Sequence, residues 1–324
     1  MLETVSGINN WKLVICRKPE GIVILQAQTC DVKAALPEEL FGCPVIELAH
    51  HALTPGRAEP EGEKLLMTCG VVSSEWDNRS LRELTLPATL VRAGDYALFN
   101  CAELKVLRLS DNLRYWGGGA LMNCRKLDTI HLECSGKEGE VLAGFADELI
   151  RELDVTLYWQ DGRTARLIFP EYAEVYEENV PHHQFDFRIQ GAGYSYHHCF
   201  YQRKLNLRDY DELWKGFLSM GHEEECAMRL AWWRLRYPLE LSEKAELQYL
   251  DYLRTCREET ARWRIGERDT AGLRFFLSKT TWERQELSRL CDFAREMGGA
   301  ETLAALLEEQ HLRFPTGVNK VFDL

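Results

Sequence analysis

Between Leu81 and Leu132 the chain carries a pattern of hydrophobic and polar positions that occurs twice at a spacing of 23 residues and begins a third time. Its apolar positions form three sets with that spacing: Leu81, Leu104 and Leu127; Leu84, Leu107 and Ile130; Leu86, Leu109 and Leu132. A period of about 20 to 29 residues that opens with L-x-x-L-x-L is typical of leucine-rich repeats, whose units bury their apolar sides only by stacking. The pattern therefore predicts a short β solenoid.

The polar positions between the leucines predict an interaction face. Leu84 and Leu86 point inward together, so their strand neighbours Glu83 and Thr85 point outward. Stacking of the units extends these outward positions into two columns. The predicted binding residues are Glu83, Val106 and Thr129 in the first column and Thr85, Arg108 and His131 in the second.

The second half of each unit closes the coil. Gly94 and Gly117 recur at the repeat spacing, and we predict that they occupy turns with positive φ. Asn100 and Asn123 recur in the same way, and we expect their side chains to bond backbone groups left open at the turns. Each asparagine precedes a cysteine, but a catalytic nucleophile has no reason to recur at the repeat spacing.

The unit from Leu81 to Cys101 resembles the BspA-like leucine-rich repeats of bacteria, whose unit runs roughly L-x-x-I-x-I-P-x-x-V-x-x-I-G-x-x-A-F-x-x-C. Two positions depart from that unit, with Ala93 in place of isoleucine and Leu98 in place of phenylalanine. The resemblance covers about residues 22 to 134. It implies a solenoid fold and an interaction module, because the family is diverse in role and no activity follows from membership.

The rest of the chain predicts an α+β multidomain protein. The first domain, 1–140, combines the repeats with an N-terminal β-hairpin cap, because two β-branched runs flank the turn Lys18–Gly21. Residues 141–205 are predicted to form a small antiparallel β unit. Residues 206–324 show helical periodicity and predict an all-α domain of five or six antiparallel helices, of which Asp269 to Phe314 faintly resembles an ankyrin hairpin.

Alternation of apolar residues predicts two facing strands in the middle unit. Phe185, Phe187 and Ile189 alternate before the turn Gln190–Gly193, and Tyr194, Tyr196, His198 and Phe200 alternate after it. If Ile189 pairs with Tyr194, His198 lies on the apolar face. The same pairing places His197 outside, opposite Asp186.

Composition and charge argue against two classes of partner, nucleic acids and membranes. The net charge is −12, and residues 1–150, 151–200 and 201–324 each carry more acidic than basic side chains, which disfavours nucleic-acid binding. No run of 18 apolar residues predicts a membrane span, and the first residues do not resemble a secretory signal. Eleven cysteines without a C-x-x-C motif favour free thiols in the cytoplasm.

One cluster offers an enzymatic alternative. His182-His183, His197-His198 and Cys199 could bring metal ligands together across a hairpin. Adjacent strand residues point to opposite faces, however, so each histidine pair offers one ligand per side. The sequence therefore favours a non-enzymatic protein–protein interaction scaffold without a cofactor or metal. The alternative is a hydrolase or metal-dependent enzyme that uses the His182–Cys199 region.

Overall fold

The computed structural model describes residues 3–5, 9–71, 76–136, 138–179, 184–202 and 204–315. The chain divides into two compact units, Met1–Cys226 and Ala227–Leu324. The domain limits predicted at residues 140 and 205 stay a prediction.

The strands of the first unit are β1 (Glu3–Val5), β2 (Trp11–Lys18), β3 (Gly21–Gln28), β4 (Lys33–Ala35), β5 (Glu39–Leu40), β6 (Cys43–Leu48), β7 (Leu65–Cys69), β8 (Glu83–Thr85), β9 (Arg92–Ala93), β10 (Val106–Ser110), β11 (Tyr115–Trp116), β12 (Thr129–Cys134), β13 (Leu153–Trp159), β14 (Thr164–Phe169), β15 (Ala173–Asn179), β16 (Gln184–Gln190), β17 (Phe200–Tyr201) and β18 (Lys204–Leu205). The helices of the chain are α1 (Glu138–Glu148), α2 (Tyr194–His197), α3 (Leu207–Glu212), α4 (Trp214–Ser219), α5 (Glu224–Arg236), α6 (Glu243–Thr255), α7 (Arg257–Gly266), α8 (Thr270–Lys279), α9 (Arg284–Glu296) and α10 (Ala300–Arg313), with a 3-10 turn at Asn78–Ser80.

A six-stranded sheet carries the predicted repeats and confirms the solenoid. Its strand order is β14-β13-β12-β10-β8-β4, with parallel pairing throughout except between β13 and β14. Leu107 lies between Leu84 on β8 and Ile130 on β12, and all three side chains are fully buried. Residues that are one repeat apart in the sequence are thus paired on neighbouring strands of the sheet.

The predicted N-terminal hairpin is present and lies inside a second sheet. Strands β2 and β3 pair antiparallel, and β3 continues into the solenoid by parallel pairing with β6. The eight-stranded sheet runs β1-β7-β2-β3-β6-β9-β11, with β5 attached to β6. Because β7 pairs with the other side of β2, the hairpin joins two parts of the sheet.

The prediction of positive φ at Gly94 and Gly117 is wrong, and the structure gives a different reason for both glycines. A Cβ atom on Gly117 would lie 2.3 Å from the backbone nitrogen of Asp95, and one on Gly94 would lie 2.7 Å from that of His50. Side chains essentially never approach backbone atoms so closely. Glycine therefore allows one coil to stack on the next.

The recurring asparagines occupy the left-handed region instead. The φ angles of Asn100 and Asn123 are 62° and 65°, a conformation that asparagine tolerates better than most residues. Asn123 Nδ2 donates to Asn100 Oδ1 at 2.9 Å, so their side chains bond each other across the coils. Their recurrence is explained by the turn of the coil.

Helix α1 closes the last coil, at the junction between the predicted repeat domain and the predicted β unit, where no helix was expected. Glu148 at its end accepts hydrogen bonds from the backbone of Leu121 at 2.9 Å and from Trp116 Nε1 at 3.2 Å. In the preceding coil the equivalent backbone group, that of Leu98, donates to the carbonyl of Ala120. The Glu148 carboxylate thus replaces a carbonyl of the next coil, and burial raises its pKa.

The region predicted as one small β unit has two parts. Strands β13 and β14 continue the six-stranded sheet, whereas β15 and β16 form a separate antiparallel hairpin. The predicted strand from Tyr194 to Phe200 is wrong, because residues Tyr194–His197 are helical and β16 pairs with β15. The alternation of aromatic residues there is therefore not a strand pattern.

At both edges of the six-stranded sheet, side chains form hydrogen bonds with backbone groups that point away from the sheet. On β4, Asn9 donates to the carbonyl of Lys33 and accepts from the backbone of Ala35, whose carbonyl accepts from Trp11 Nε1 at 2.8 Å. On β14, the Tyr210 hydroxyl donates to the carbonyl of Ile168 at 2.5 Å and accepts from its backbone N–H at 3.1 Å. These contacts supply the bonds that a further strand would make.

Removal of the Tyr210 hydroxyl is expected to destabilise the first unit. Tyr210→Phe keeps the buried ring but leaves both backbone groups of Ile168 without this partner, which should cost about 1–3 kcal/mol. Urea unfolding measures the loss, and hydrogen exchange should show weaker protection of the Ile168 amide. Tyr115→Phe is the matched control, because Tyr115 is 41% exposed, and its cost should stay under about 0.5 kcal/mol. Equal stabilities for the two variants would contradict the edge-closing role.

The second unit is helical, as predicted. Helix α7 packs against α8 and α9, and α10 packs against both α8 and α9. The Arg264 guanidinium is buried, 3.3 Å from the ring centre of Trp263, and Arg264 Nη1 pairs with Asp269 Oδ2 at 3.1 Å. Along the described residues after 206, the helices number eight, more than predicted, because α3 and α4 are short. Of the described helices, none is both long and apolar enough to cross a membrane.

Candidate interaction face

The strand register places the six predicted binding residues in two rows on one face of the six-stranded sheet. In the first row Val106 is paired with Glu83 and Thr129, and in the second row Arg108 is paired with Thr85 and His131. All six side chains are half-buried, whereas the leucines between them are buried. We call the surface formed by these six residues the interaction face.

The sheet extends the interaction face beyond the predicted residues. Strand β13 adds Asp154 to the first row and Thr156 to the second. Strand β4 adds Lys33 at the opposite end of the first row, where it is paired with Glu83. The sequence signal for β13 was available, since Val155 and Leu157 alternate as Ile130 and Leu132 do, but their spacing of 25 residues departs from the repeat.

Charges alternate along the first end of the face. The Glu83 carboxylate lies 2.5 Å from Lys33 Nζ and 3.8 Å from Arg108 Nη2. The hydrogen bond from Lys33 lowers the pKa of Glu83 below its ordinary value, and the Arg108 charge adds to this effect. The short contact of the Glu83 carboxylate is the one with Lys33, and its contact with Arg108 is long. The Arg108 side chain is 42% exposed.

His131 contributes a neutral ring to the second row, beside Arg108. Its ring is stacked on that of Tyr158 with the centres 5.9 Å apart, and its Nδ1 atom lies 3.2 Å from the Tyr158 hydroxyl. Burial lowers the pKa of His131, and the positive charges of Arg108 and Arg166 lower it further. The imidazole is therefore uncharged at neutral pH, which leaves Arg108 as its charged neighbour in the row.

The other end of the face is fixed by a bidentate ion pair. Arg166 on β14 donates from Nε and Nη2 to the two carboxylate oxygens of Asp154, each at 2.7 Å. Asp154 is buried, and the planar guanidinium matches the carboxylate geometry. This pair holds β13 and β14 together and orders the last position of the first row.

A pocket of about 380 Å³ opens on the interaction face. Its lining residues are Glu38, Thr85, Leu86, Ala88, Arg108, Leu109, Ser110, His131, Glu133 and Tyr158. Glu38 is engaged by the backbone N–H groups of Ala88 at 2.9 Å and Thr89 at 3.2 Å. The pocket thus combines an accessible guanidinium and hydroxyl groups of threonine, serine and tyrosine with the exposed carboxylate of Glu133.

The histidine region differs from its prediction. His197 is buried, with Nε2 at 2.9 Å from the carbonyl oxygen of Pro170 and Nδ1 at 3.3 Å from that of Ala146. His198 is exposed and stacks on Tyr194. The predicted orientations are thus reversed, because helix α2 replaces the expected strand and turns His197 toward α1.

The remaining members of that region have separate surroundings. Burial raises the pKa of the Cys199 thiol to about 12, so the thiol is protonated at neutral pH. His182 and His183 lie outside the described residues. Within the part of the chain that the structure describes, no group of three histidine, cysteine, aspartate or glutamate side chains could hold a metal ion.

The chain matches no protein-family model, and no curated protein matches it in sequence. Among solved structures, a leucine-rich repeat protein of T. pallidum is 15% identical to this chain. The alignment covers 37% of this chain and 68% of that protein, with a TM-score of 0.22. The assignment of a solenoid rests on the strand register of this chain.

Proposed function

We propose that this chain is a non-enzymatic scaffold that binds another protein through the interaction face. The observation that supports this most is the position of Arg108, which is central in its row, held by a long ion pair to Glu83, and open to the pocket. A guanidinium can bind a carboxylate through two parallel hydrogen bonds. The expected partner therefore presents an acidic side chain.

The rigidity of the face favours binding. Each outward side chain stands on a strand whose neighbours on both sides are hydrogen-bonded, and the leucines beneath are fully buried. Side chains on such a sheet lose little conformational freedom when a partner docks. The alternation of Lys33, Glu83 and Arg108 supplies a charge pattern that a partner with the complementary order would match.

Reversal of the charge at Arg108 tests the proposal. Arg108→Glu should leave the melting temperature nearly unchanged and weaken capture of the native partner at least tenfold, or roughly 1.4 kcal/mol. Capture from the native cell extract, quantified by mass spectrometry, measures the effect. Arg114→Glu is the matched control, because Arg114 is exposed and directly precedes β11 of the other sheet.

The control defines what would contradict the proposal. A protein captured by the wild type and by Arg114→Glu, but lost with Arg108→Glu, is the expected partner. Equal capture by both variants would remove the binding site from the interaction face.

A closer assignment is part of the same proposal. We assign the solenoid to the BspA-like leucine-rich repeats of bacteria, on the motif that runs from Leu81 to Cys101. We also place the protein in the cytoplasm. All eleven cysteines of the chain are free thiols, which suits a reducing compartment.

Metal content distinguishes the scaffold from the enzymatic alternative. Purified full-length protein is expected to contain no stoichiometric transition metal. One zinc ion per chain, lost together with His197→Ala or Cys199→Ala, would favour a metal-dependent enzyme that uses the His182–Cys199 region.

A further inference from the structure

In the turns of the solenoid, backbone N–H groups at alternate positions donate to carbonyl groups of the next coil. Tyr96 donates to Gly118 and Asn100 donates to Met122, each at 3.1 Å. The last coil carries the equivalent donors one repeat later, where helix α1 follows instead of a further coil. The donors of the last coil therefore need acceptors of another kind.

Three donors of the last coil differ in their acceptors. The backbone N–H of Leu121 donates to the Glu148 carboxylate at 2.9 Å. The backbone N–H groups of Gly119 and Asn123 lie on either side of it, and no group among the described residues accepts a hydrogen bond from them. Asn123 is exposed. Because Glu148 already bonds one donor of this row, a carboxylate from another chain can bond the donor at Asn123 in the same way.

A pocket of about 490 Å³ opens beside these donors. Gly119, Leu121 and Asn123 all line it, together with the end of α1. Arg125 and Arg151 also line it, and both are exposed. Arg151 Nη1 donates to the carbonyl of Arg125, which fixes the Arg151 side chain against the last coil. The open backbone donors and two guanidinium groups thus belong to one pocket.

The charges of this pocket favour an anionic partner. Among the described lining residues, Arg125 and Arg151 are basic and Glu148 is acidic. The Glu148 carboxylate is already engaged, because it accepts from the backbone of the last coil and from Trp116 Nε1 at 3.2 Å. A carboxylate at the Asn123 N–H can also bind a guanidinium through two parallel hydrogen bonds. An acidic group therefore complements this pocket in both charge and hydrogen bonding.

Two apolar side chains border the same pocket. Met122 is 50% exposed and Ile150 is 39% exposed, and both line the pocket. Met122 directly precedes Asn123, and Ile150 directly precedes Arg151. Each apolar side chain therefore adjoins one of the polar contacts. A partner that covers both buries apolar area in addition to making charged contacts.

We propose that this pocket binds an extended, acidic and partly apolar segment of a partner protein. An aspartate or glutamate of the segment accepts from the Asn123 N–H and from the arginines of the pocket. A main-chain carbonyl of the segment accepts from the Gly119 N–H, and a leucine or aromatic side chain covers Met122 and Ile150. The segment thereby takes the place of a further coil. Its site lies on the turns of the solenoid, apart from the strands that carry the interaction face.

Selection of random peptides on the full-length Arg108→Glu variant tests this site, because that variant disables the interaction face. Enriched peptides are expected to combine aspartate or glutamate with leucine or aromatic residues. Each is synthesised with a fluorescent label, and its affinity is measured by fluorescence anisotropy. The wild type should bind as tightly as Arg108→Glu. Arg125→Glu with Arg151→Glu should weaken binding at least tenfold, and so should Met122→Ser with Ile150→Ser.

Exchange of backbone amide hydrogens tests the open donors directly. With saturating peptide, exchange at Gly119 and Asn123, followed by nuclear magnetic resonance, should slow at least tenfold. The amide of Leu121 is the internal control, because it is already bonded to Glu148 and should change little.

Two controls separate local binding from other effects. The melting temperature should be unchanged in both double variants of the pocket, because the four substituted side chains are exposed. Arg114→Glu with Arg284→Glu makes the same change in net charge at two exposed arginines elsewhere in the chain, and it should leave the affinity unchanged.

Several results would overturn the proposal. Failure to enrich any peptide, or enrichment of basic peptides, removes the complementarity on which it rests. Equal affinity for the wild type and the Arg125 and Arg151 double variant removes the peptide from this pocket. An equal loss in the Arg114 and Arg284 control shows a response to net charge alone. Unchanged exchange at Asn123 shows that the segment does not bond the last coil.

Discussion

Asn78→Ala is expected to lower the free energy of unfolding of the first unit by about 3–5 kcal/mol. Asn78 is buried, and its Nδ2 atom donates to the carbonyls of Ala27 at 2.8 Å and Leu53 at 2.7 Å. Its Oδ1 atom accepts from the backbone N–H of Thr29 at 2.8 Å. Truncation leaves three buried backbone groups without this partner, and each such group costs roughly 1–3 kcal/mol.

Two further variants sharpen this prediction. Asn78→Asp keeps the shape of the side chain but directs a carboxylate oxygen at two carbonyl oxygens, so at neutral pH it should cost at least as much as alanine. Asn112→Ala is the matched control, because Asn112 is exposed and donates one bond, to the carbonyl of Ala88. Urea unfolding followed by far-ultraviolet circular dichroism measures all three. A loss below about 1 kcal/mol for Asn78→Ala would show that water replaces the side chain.

Leu107→Ala is expected to cost about 2–5 kcal/mol, because it opens a cavity in the middle of the solenoid. Leu107 is fully buried, and its strand neighbours Leu84 and Ile130 are fixed by pairing on both sides, so the site cannot collapse easily.

The adjacent residue provides the control for that cavity. Val106 lies on the opposite side of the same strand and is half-buried, so Val106→Ala should cost well under about 1 kcal/mol. Calorimetry of the two variants ranks the costs. A larger cost for Val106→Ala than for Leu107→Ala would show that Val106 points inward and Leu107 outward, which would contradict the position of the interaction face.

The parts of the fold that the sequence predicted are those that repeat. Leu84, Leu107 and Ile130 occupy one register because each strand is stabilised by the same apolar contact with its neighbour. A fixed spacing therefore specifies both the strand and its inward side. The same spacing also predicts the two rows of the interaction face, because each row consists of residues one repeat apart.

The parts that the sequence did not predict depend on single contacts at a distance. Helix α1 is held by the hydrogen bond that the backbone N–H of Leu121 donates to the Glu148 carboxylate. No local sequence pattern predicts that bond. The alternation at Tyr194 and Tyr196 suits a strand, but packing of Tyr196 on Tyr210, with ring centres 4.8 Å apart, accompanies a helical turn. Tertiary contacts override local propensity in short segments such as this one.

The glycines show how one residue type fits two physical explanations. Gly117 recurs with Gly94, and recurrence alone indicates that a side chain is excluded at that position. Whether the exclusion comes from a positive φ or from a neighbouring coil depends on the distance to Asp95, which the sequence does not contain. The pocket on the interaction face was unpredictable for the same reason, since its lining comes from separate segments of the chain.

The closed edges of the six-stranded sheet decide which kind of recognition is open to it. Because Asn9, Trp11 and Tyr210 already bond the outer backbone groups of Lys33, Ala35 and Ile168, a partner cannot add a strand there without displacing them. A partner that binds this sheet at those positions is therefore recognised through its side chains and not through its main chain. Its affinity should then depend on its own sequence and fall as ionic strength rises, whereas strand addition would accept many sequences and respond little to salt.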